Sequence, residues 1–275
     1  AGLALSAVKS GDELYFGAAN VRLPVKRFFF PQTETLYTYE GDRLEEVPAE
    51  GQRTVLFGVR PCDAHALTFL DKVFVDEKYV DPYYRNRREA TTVVTLACNQ
   101  PPSTCFCTSV GGSPFGKRGA DVVVADLGSE LLFESVSDKG AEFMAAHAKL
   151  FSEPSAEQKS ARSAAASAAE KSLRKVDTEG LAGKLKEVYD SPVWDELAQR
   201  CLNCGACTFF CPTCHCFGIH DETGDDRGSC LRVHDSCMFP GFTLEASGHN
   251  PRGKKGQRMR QRIMHKFRYA VENFD

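Results

Sequence analysis

Twelve cysteines stand in this chain of 275 residues, and eight of them fall between positions 201 and 237. The densest run reads Cys201-Leu202-Asn203-Cys204-Gly205-Ala206-Cys207-Thr208-Phe209-Phe210-Cys211-Pro212. Its pattern, C-x2-C-x2-C-x3-C-P, is the spacing by which bacterial ferredoxins hold cubane iron–sulfur clusters. Three thiolates two residues apart on a tight loop wrap three corners of one cubane. Gly205 gives that loop freedom where backbone passes close to a cluster. The fourth cysteine, three residues on, turns away from the other three and in two-cluster proteins ligates the second cluster. Pro212 keeps a helix from running straight on. Zinc is the competing ligand-set reading, but zinc sites pair two C-x2-C knuckles across a longer gap. Cys201, Cys204, Cys207 and Cys211 are therefore read as iron–sulfur ligands, Cys211 belonging to a different cluster from the first three.

The other four cysteines lie upstream. Thr54–Val59 is a short continuous apolar run that suits a buried strand, and it ends at Arg60-Pro61-Cys62-Asp63. Asp63 is read as the cap of the next helix, whose buried face carries Leu67, Leu70, Val73 and Phe74. Thr91–Ala97 is a second buried strand, ending in Cys98. Cys105 and Cys107 follow in a loop rich in turn formers. Ligands in open α/β sheets gather at strand C-terminal ends, so two parallel neighbouring strands would bring Cys62, Cys98, Cys105 and Cys107 to one side of the sheet. Four thiolates suffice for one tetrahedral metal or one cubane. Four buried core thiols are the alternative, set aside because Pro- and Gly-rich loops are poor places for inert ones. Asp63 and His65 are substitute ligands of lower rank.

The elements that position these groups follow from periodicity. Residues 1–50 read as short strands and loops with ordinary core aromatics. Strands at Asp121–Ala125 and Leu131–Val136 and a helix at Ala141–Phe151, with Phe143, Met144, His147, Leu150 and Phe151 on its buried stripe, complete an α/β domain. Residues 152–176 turn to Ala, Ser, Lys and Glu, with a capping box at Ser155 and Gln158. They read as an exposed helical arm. Helices around Leu181–Val188 and after Ser191-Pro192 lead into Cys201. Beyond it, Cys214, Cys216, Cys230 and Cys237 have no assigned role, and His215, His220 and His234 read as surface or hydrogen-bonding residues. From Ala246 to Val271 there is no acidic residue. Met259, Ile263, Phe267 and Ala270 recur there at helical spacing among eight arginines and lysines. This basic amphipathic helix is read as a cationic neighbour of anionic clusters, with nucleic-acid contact or docking of an acidic partner as the other readings.

The expected fold class is thus an α/β N-terminal domain with cysteine-bearing loops at strand ends, joined by a helical arm to an α-helical ferredoxin-like domain. The expected boundaries are 1–152, 153–190 and 191–275. Net charge is −3, which argues against a nucleic-acid binder as a whole, and 42% hydrophobic content supports a real core. No run of 18 apolar residues suggests a membrane span and no signal peptide is read. The chain opens at Ala1 rather than Met and stops at Asp275, so both ends are read as open to truncation. Cysteines at metal-ligand spacing, not disulfide spacing, point to a cytoplasmic, anaerobic setting. No G-x-G-x-x-G follows a strand, so no nicotinamide or flavin site is read, and no acid–base pair or nucleophile stands out.

Five motifs in order carry a resemblance: Phe57-Gly58-Val59-Arg60-Pro61-Cys62-Asp63, Thr104-Cys105-Phe106-Cys107, Cys211-Pro212-Thr213-Cys214-His215-Cys216-Phe217, Asp235-Ser236-Cys237-Met238-Phe239 and Gly248-His249-Asn250-Pro251-Arg252. Together they resemble the iron–sulfur beta subunit of cytosolic nickel–iron hydrogenases of the sulfhydrogenase type, a family that also includes the A subunit of anaerobic sulfite reductase. The resemblance spans residues from about 22 to 270. It implies a non-catalytic electron-transfer subunit with at least two [4Fe-4S] clusters. Its partners would be an FAD/NAD(P)-binding diaphorase-like subunit and a catalytic or small iron–sulfur subunit, with no nucleic acid and no membrane. One departure stands out. Family members carry a second cysteine run after the basic helix, and this sequence stops before one. Either that run lies beyond Asp275 or Cys214, Cys216 and Cys237 complete an unusual arrangement. The alternative from another class is a zinc-stabilised nucleic-acid-binding module.

Overall fold

The structure is a computed structural model, which describes residues 5–17, 21, 23–48 and 51–274. Its strands are β1 (Thr33–Glu40), β2 (Arg43–Glu46), β3 (Thr54–Val59), β4 (Thr91–Leu96), β5 (Val122–Asp126), β6 (Leu131–Ser135), β7 (Phe217–Thr223) and β8 (Arg227–His234). They form two sheets, ordered β3-β4-β5-β6 and β2-β1-β8-β7. The chain divides into two compact units, one of Ala1–Phe30 with Ala49–Asp177 and one of Pro31–Pro48 with Thr178–Asp275. This differs from the expected 1–152, 153–190 and 191–275 at both ends of the first domain. Strands β1 and β2 leave it for the second unit, and the helical arm joins it.

In the first unit β3, β4 and β5 run parallel, while β6 returns antiparallel to β5. Strand β4 is buried along nearly its whole length, as a central parallel strand covered on both faces must be. Helix α1 (Pro61–Phe74) crosses from β3 and α2 (Pro82–Ala90) leads into β4. Val25, Phe29 and Phe30 join Leu56, Leu67, Leu70, Phe74, Tyr84 and Val93 in one core cluster. Each such side chain, fully buried, contributes roughly 1.5–3 kcal/mol. The phenylalanines before Pro31 are therefore core residues, as read from sequence. Asp63 is not the N-cap residue of α1 that the sequence suggests. Arg60 holds the N-cap position and Asp63 sits in the first turn. Helix α3 (Asp138–Ala146) starts and ends earlier than expected. His147 and Leu150 lie past its end and are exposed, because the buried stripe stops at Met144.

Helix α4 (Ala156–Ser172) begins at the expected capping box of Ser155 and Gln158. It is not an exposed arm. Ala169 is buried with Ala97, Phe115 and Ala125, and Ala165 and Ala166 pack beside it. Alanine at three- and four-residue spacing lets this helix approach the sheet closely with little apolar bulk. That is why a count of large apolar residues misses the contact.

The second unit holds α5 (Leu181–Glu187), α6 (Val193–Ala198), α7 (Ala206–Phe209), α8 (Lys255–Met264) and α9 (Ala270–Phe274). A π-helical turn at His265–Tyr269 joins the last two. Leu185, Trp194 and Met264 form their shared core. Gly256 is demanded by close approach, since a Cβ there would clash with Asp195 Oδ1 and stand 3.0 Å from the Asp195 backbone nitrogen. Helices were expected here, but the four-stranded antiparallel sheet was not, and a purely α-helical ferredoxin-like domain is not what the structure contains. Strand β1 pairs with β8 across almost the length of the chain, and β7 and β8 form a hairpin. Strand β7 is mostly exposed and polar, so it carries no alternation to detect.

Candidate metal centres

Strands β3 and β4 place the first group of thiols. They are parallel neighbours with Val59 opposite Thr95, so their C-terminal ends stand side by side. Cys62 lies in the first turn of α1, at the positive end of the helix dipole. Cys98 follows β4, and its N–H donates to the Pro114 carbonyl at 2.9 Å. Cys105 N donates to Pro102 O at 2.9 Å and Gly112 N to Cys107 O at 2.9 Å, which folds the loop back on itself. The segment after α4 straps this loop. Arg174 N donates to Cys105 O at 3.1 Å, and Val176 N to Ser109 Oγ at 2.9 Å.

Cys62, Cys98, Cys105 and Cys107 are close enough to act on one another electrostatically. Burial pushes the Cys62 thiol up to about 12, with Asp63 and then the other three thiols adding to it. By accessible area Cys62 is exposed. The two facts agree if the sulfur opens to solvent on one side and is crowded by protein on the others. Burial also raises Cys98, against the pull of Arg60. The Arg60 Nη1 donates to the Leu96 and Ala97 carbonyls at 3.2 and 3.1 Å. That holds a buried cation beside the thiols. Burial likewise raises Cys107.

In the second unit Asn203 and Gly205 both take positive φ, 56° and 70°. Asn203 N donates to Cys201 Sγ at 3.4 Å. A Cβ on Gly205 would meet the Phe239 ring at 2.7 Å. The loop is pinned from beneath by Thr208, whose buried hydroxyl bonds Gly205 O at 2.7 Å and Ser236 Oγ at 2.8 Å. Cys204 and Cys207 are exposed and Cys201 is half-buried. Phe209 packs on Phe239 at 6.1 Å, and Phe210 is exposed.

Cys211 has different neighbours. It is hydrogen-bonded with Cys214 and lies 3.3 Å from Thr213 Oγ1. The hydrogen bond from Cys214 lowers the Cys211 thiol below its ordinary value against the effect of burial, with Lys266 assisting. Cys216 and Cys237 form a second hydrogen-bonded pair, with Cys216 lowered by its partner. Cys214 and Cys237 are both raised, each by the thiol it bonds and by burial. Cys230, in β8, is buried beside Tyr37 instead.

Cations converge on these thiols from one face of α8 and the turn after it. Lys255 Nζ donates to Cys201 O at 3.1 Å, Arg262 Nη1 to Cys214 Sγ at 3.4 Å and Lys266 Nζ to Thr213 Oγ1 at 2.5 Å. Positions 255, 262 and 266 recur at seven and eleven residues, the spacing of a single helical stripe. Sequence reasoning found the basic helix but not which of its cations face sulfur, and it missed Arg60. That spacing and the Arg60-Pro61-Cys62 adjacency were the available signals. Of the histidines, His215 stacks edge-on with His265 at 5.5 Å, while His147 and His220 are exposed.

The donor set suits iron–sulfur clusters. It is all thiol, placed at strand and helix termini, with the buried Arg60 and the half-buried Arg262 and Lys266 beside it to offset the charge that thiolate-bound clusters carry. Among the described residues no three His, Cys, Asp or Glu side chains stand close enough to share one ion.

Among family descriptions, the 4Fe-4S dicluster domain matches residues 200–275. The chain is 36% identical over 273 residues to sulfhydrogenase 2 subunit beta of Pyrococcus furiosus, covering 98% of this chain and 78% of that one. No solved structure matches. With nearly the whole chain inside that alignment, and with the cysteine geometry above, the chain belongs to the family of sulfhydrogenase beta subunits, iron–sulfur electron-transfer proteins that carry multiple [4Fe-4S] clusters.

Proposed function

We propose that this chain relays electrons between an FAD/NAD(P)-binding, diaphorase-like subunit and a catalytic or small iron–sulfur subunit of a cytoplasmic, nickel–iron hydrogenase-type complex. The observation that carries the reading is the meeting of Cys62, Cys98, Cys105 and Cys107 at the adjacent C-terminal ends of β3 and β4. A second set of thiols lies in the other unit, so the chain offers more than one site. When bound, the clusters supply one-electron acceptance and donation. The residues of this chain do the rest. Cysteines fix the sites, Arg60, Arg262 and Lys266 offset negative charge, and the α4 strap holds the Cys105 loop in place.

The nucleic-acid reading loses its main support. Arg258, Arg260, Arg262, Lys266 and Arg268 are all engaged within the chain by carbonyls, side chains or sulfur. Among the described residues no helix is long and apolar enough to cross a membrane.

The test is reduction of the anaerobically purified chain. NAD(P)H alone should leave its visible spectrum unchanged, and adding a flavin-containing diaphorase subunit should bleach it. Direct reduction by NAD(P)H, or no iron in the chain, would sink the relay.

A further inference from the structure

We propose that Arg258, a buried cation whose guanidinium bonds none of the cysteines, is the counter-charge that holds up the reduction potential of the centre taking Cys201, Cys204 and Cys207. The inference rests on the relay reading and adds to it a residue that acts through its field alone.

The first observation is a buried charge without an opposite charge. Arg258 is 3% exposed. Its Nη1 donates to the Arg252 and Gly253 carbonyls at 3.0 and 2.7 Å, and its Nε is buried with no hydrogen-bond partner among the described residues. Comparable arginines are compensated. Arg232, just as buried, pairs with Glu34, while Arg260 pairs with Asp190 and Arg268 with Glu272. Arg258 has no such carboxylate among the described residues. Its own stretch supplies none, since Ala246 to Val271 contains no acidic residue. The Asp195 carboxylate approaches α8 at Gly256, about 200° around the helix from Arg258. Burying an ion is strongly unfavourable unless an opposite charge offsets it, and two carbonyl dipoles do so only in part. A thiolate-bound cluster is anionic and supplies the rest.

The second is where the helix puts this charge. Lys255 Nζ donates to Cys201 O and Arg262 Nη2 to Cys207 O, so the first and third cysteines of the loop are both tied to α8. Arg258 lies three residues after one anchor and four before the other, the spacing of neighbours on one helix face. The face that carries the loop therefore carries Arg258 between its two anchors. Lys255 is exposed and Arg262 half-buried, so Arg258 is the one of the three that solvent screens least.

The third is how the guanidinium is held. Asn250 Oδ1 accepts from Arg252 N at 3.1 Å and from Thr243 Oγ1 at 2.8 Å, and its Nδ2 donates to Pro240 O at 2.7 Å. Those bonds fix the turn whose last carbonyls receive Arg258. The Gly248-His249-Asn250-Pro251-Arg252 motif is thus a cradle for the buried cation. A charge fixed in advance needs no reorganisation when the charge beside it changes.

The test uses the full chain, loaded with iron and sulfide anaerobically, beside Arg258→Met, Arg258→Gln, Arg258→Lys and Cys204→Ala. Redox titration followed by electron paramagnetic resonance gives each centre a midpoint potential, and the centre missing from Cys204→Ala is the one in question. In Arg258→Met and Arg258→Gln that centre should titrate lower, with its reduced-to-oxidised ratio at a fixed potential falling about tenfold, or about 59 mV for one electron. Arg258→Lys keeps the charge and should stay near the parent potential. A residue that only clamps the turn would change thermal stability and leave the potentials alone. Unshifted potentials in both neutral variants overturn the inference, and so does an Arg258→Lys shift as large as that of Arg258→Met. Should neither neutral variant retain that centre, Arg258→Lys decides. Retention there supports the charge, and loss in all three overturns the inference, because shape and not charge is then what the loop needs. A Cys204→Ala chain that keeps every centre overturns it too and leaves the relay standing. A parent chain without iron overturns both.

Discussion

Arg262 bridges two groups of thiols with one guanidinium. Its Nη1 lies 3.4 Å from Cys214 Sγ while its Nη2 donates to the Cys207 carbonyl at 2.5 Å. Burial works against its charge, but Cys214, Cys211 and Cys207 more than restore it. The cation is therefore fixed between the loop of Cys201–Cys207 and the set that begins at Cys211.

A positive charge held there favours the reduced, more negative state of any nearby cluster. Arg262→Gln should lower a midpoint potential by several tens of millivolts, where about 59 mV is a tenfold change for one electron. Arg260→Gln is the comparison. Its guanidinium bonds the Tyr189 carbonyl and lies 3.8 Å over the Tyr189 ring, away from sulfur. Redox titration of both variants checks this. Equal shifts, or no shift in Arg262→Gln, would remove Arg262 from the electrostatics of the site.

Two glycines of the second unit should respond to alanine with opposite signs. Gly205 has φ 70° and its Cβ would enter the Phe239 ring at 2.7 Å. The left-handed conformation alone costs a non-glycine residue about 1–2 kcal/mol, and the clash adds to it. Gly205→Ala should lower the melting temperature and reduce iron retention. Gly183, in α5, meets nothing within 4 Å. Gly183→Ala should stabilise by about 0.5–1 kcal/mol. Thermal unfolding under anaerobic conditions measures both, and loss of stability in Gly183→Ala would show that α5 is misdescribed.

Helix α4 offers a sharper contrast. Ala169 is 1% exposed against Ala97, Phe115 and Ala125, whereas its neighbour Ala168 faces solvent. Ala169→Leu should overpack the contact at a cost of about 1–3 kcal/mol. Ala168→Gln should change stability by no more than about 0.5 kcal/mol. Because Arg174 and Val176 strap the cysteine loop just beyond this helix, Ala169→Leu should also loosen the N-terminal thiols. Faster loss of iron to a chelator reads that out. Equal behaviour of the two variants would restore α4 to the exposed arm that its composition suggests.

The sequence was most legible where one physical signal dominated. Continuous apolar runs marked β3 and β4, and a cysteine after each let the meeting of Cys62, Cys98, Cys105 and Cys107 be inferred from the placement of ligands at strand ends. Ser155 and Gln158 marked the start of α4. What stayed hidden depended on contacts distant in sequence or on weak patterns. Ala169 carries too little apolar surface to announce its burial. Strands β1 and β8 find each other across a separation of 198 residues between Glu34 and Arg232, and no local pattern encodes that pairing. Cys237 is likewise delivered to Cys216 by the hairpin, not by spacing.

The pair that joins those strands should be one of the most sensitive points in the second unit. Glu34 and Arg232 face each other directly in the β1–β8 register, 7% and 4% exposed, and their side chains form an ion pair. The Arg232 guanidinium also lies 5.6 Å over the Phe217 ring of β7. Both charges have left water, so this pair is part of what compensates each of them. Replacing one partner strands the second in a low-dielectric interior. Glu34→Gln, which keeps the shape and removes the charge, should therefore cost about 3–5 kcal/mol. Replacing both, as Glu34→Met with Arg232→Met, removes both desolvation penalties and should recover most of that loss. The recovery should be incomplete, because the contact of Arg232 with Phe217 goes too, worth about 0.5–2 kcal/mol. Anaerobic denaturant unfolding of the single and double variants gives the coupling directly as a double-mutant cycle. A double variant no more stable than Glu34→Gln would mean that the pair does not act as a compensated unit. A Glu34→Gln variant as stable as the parent would mean that β1 does not pack on β8 as described.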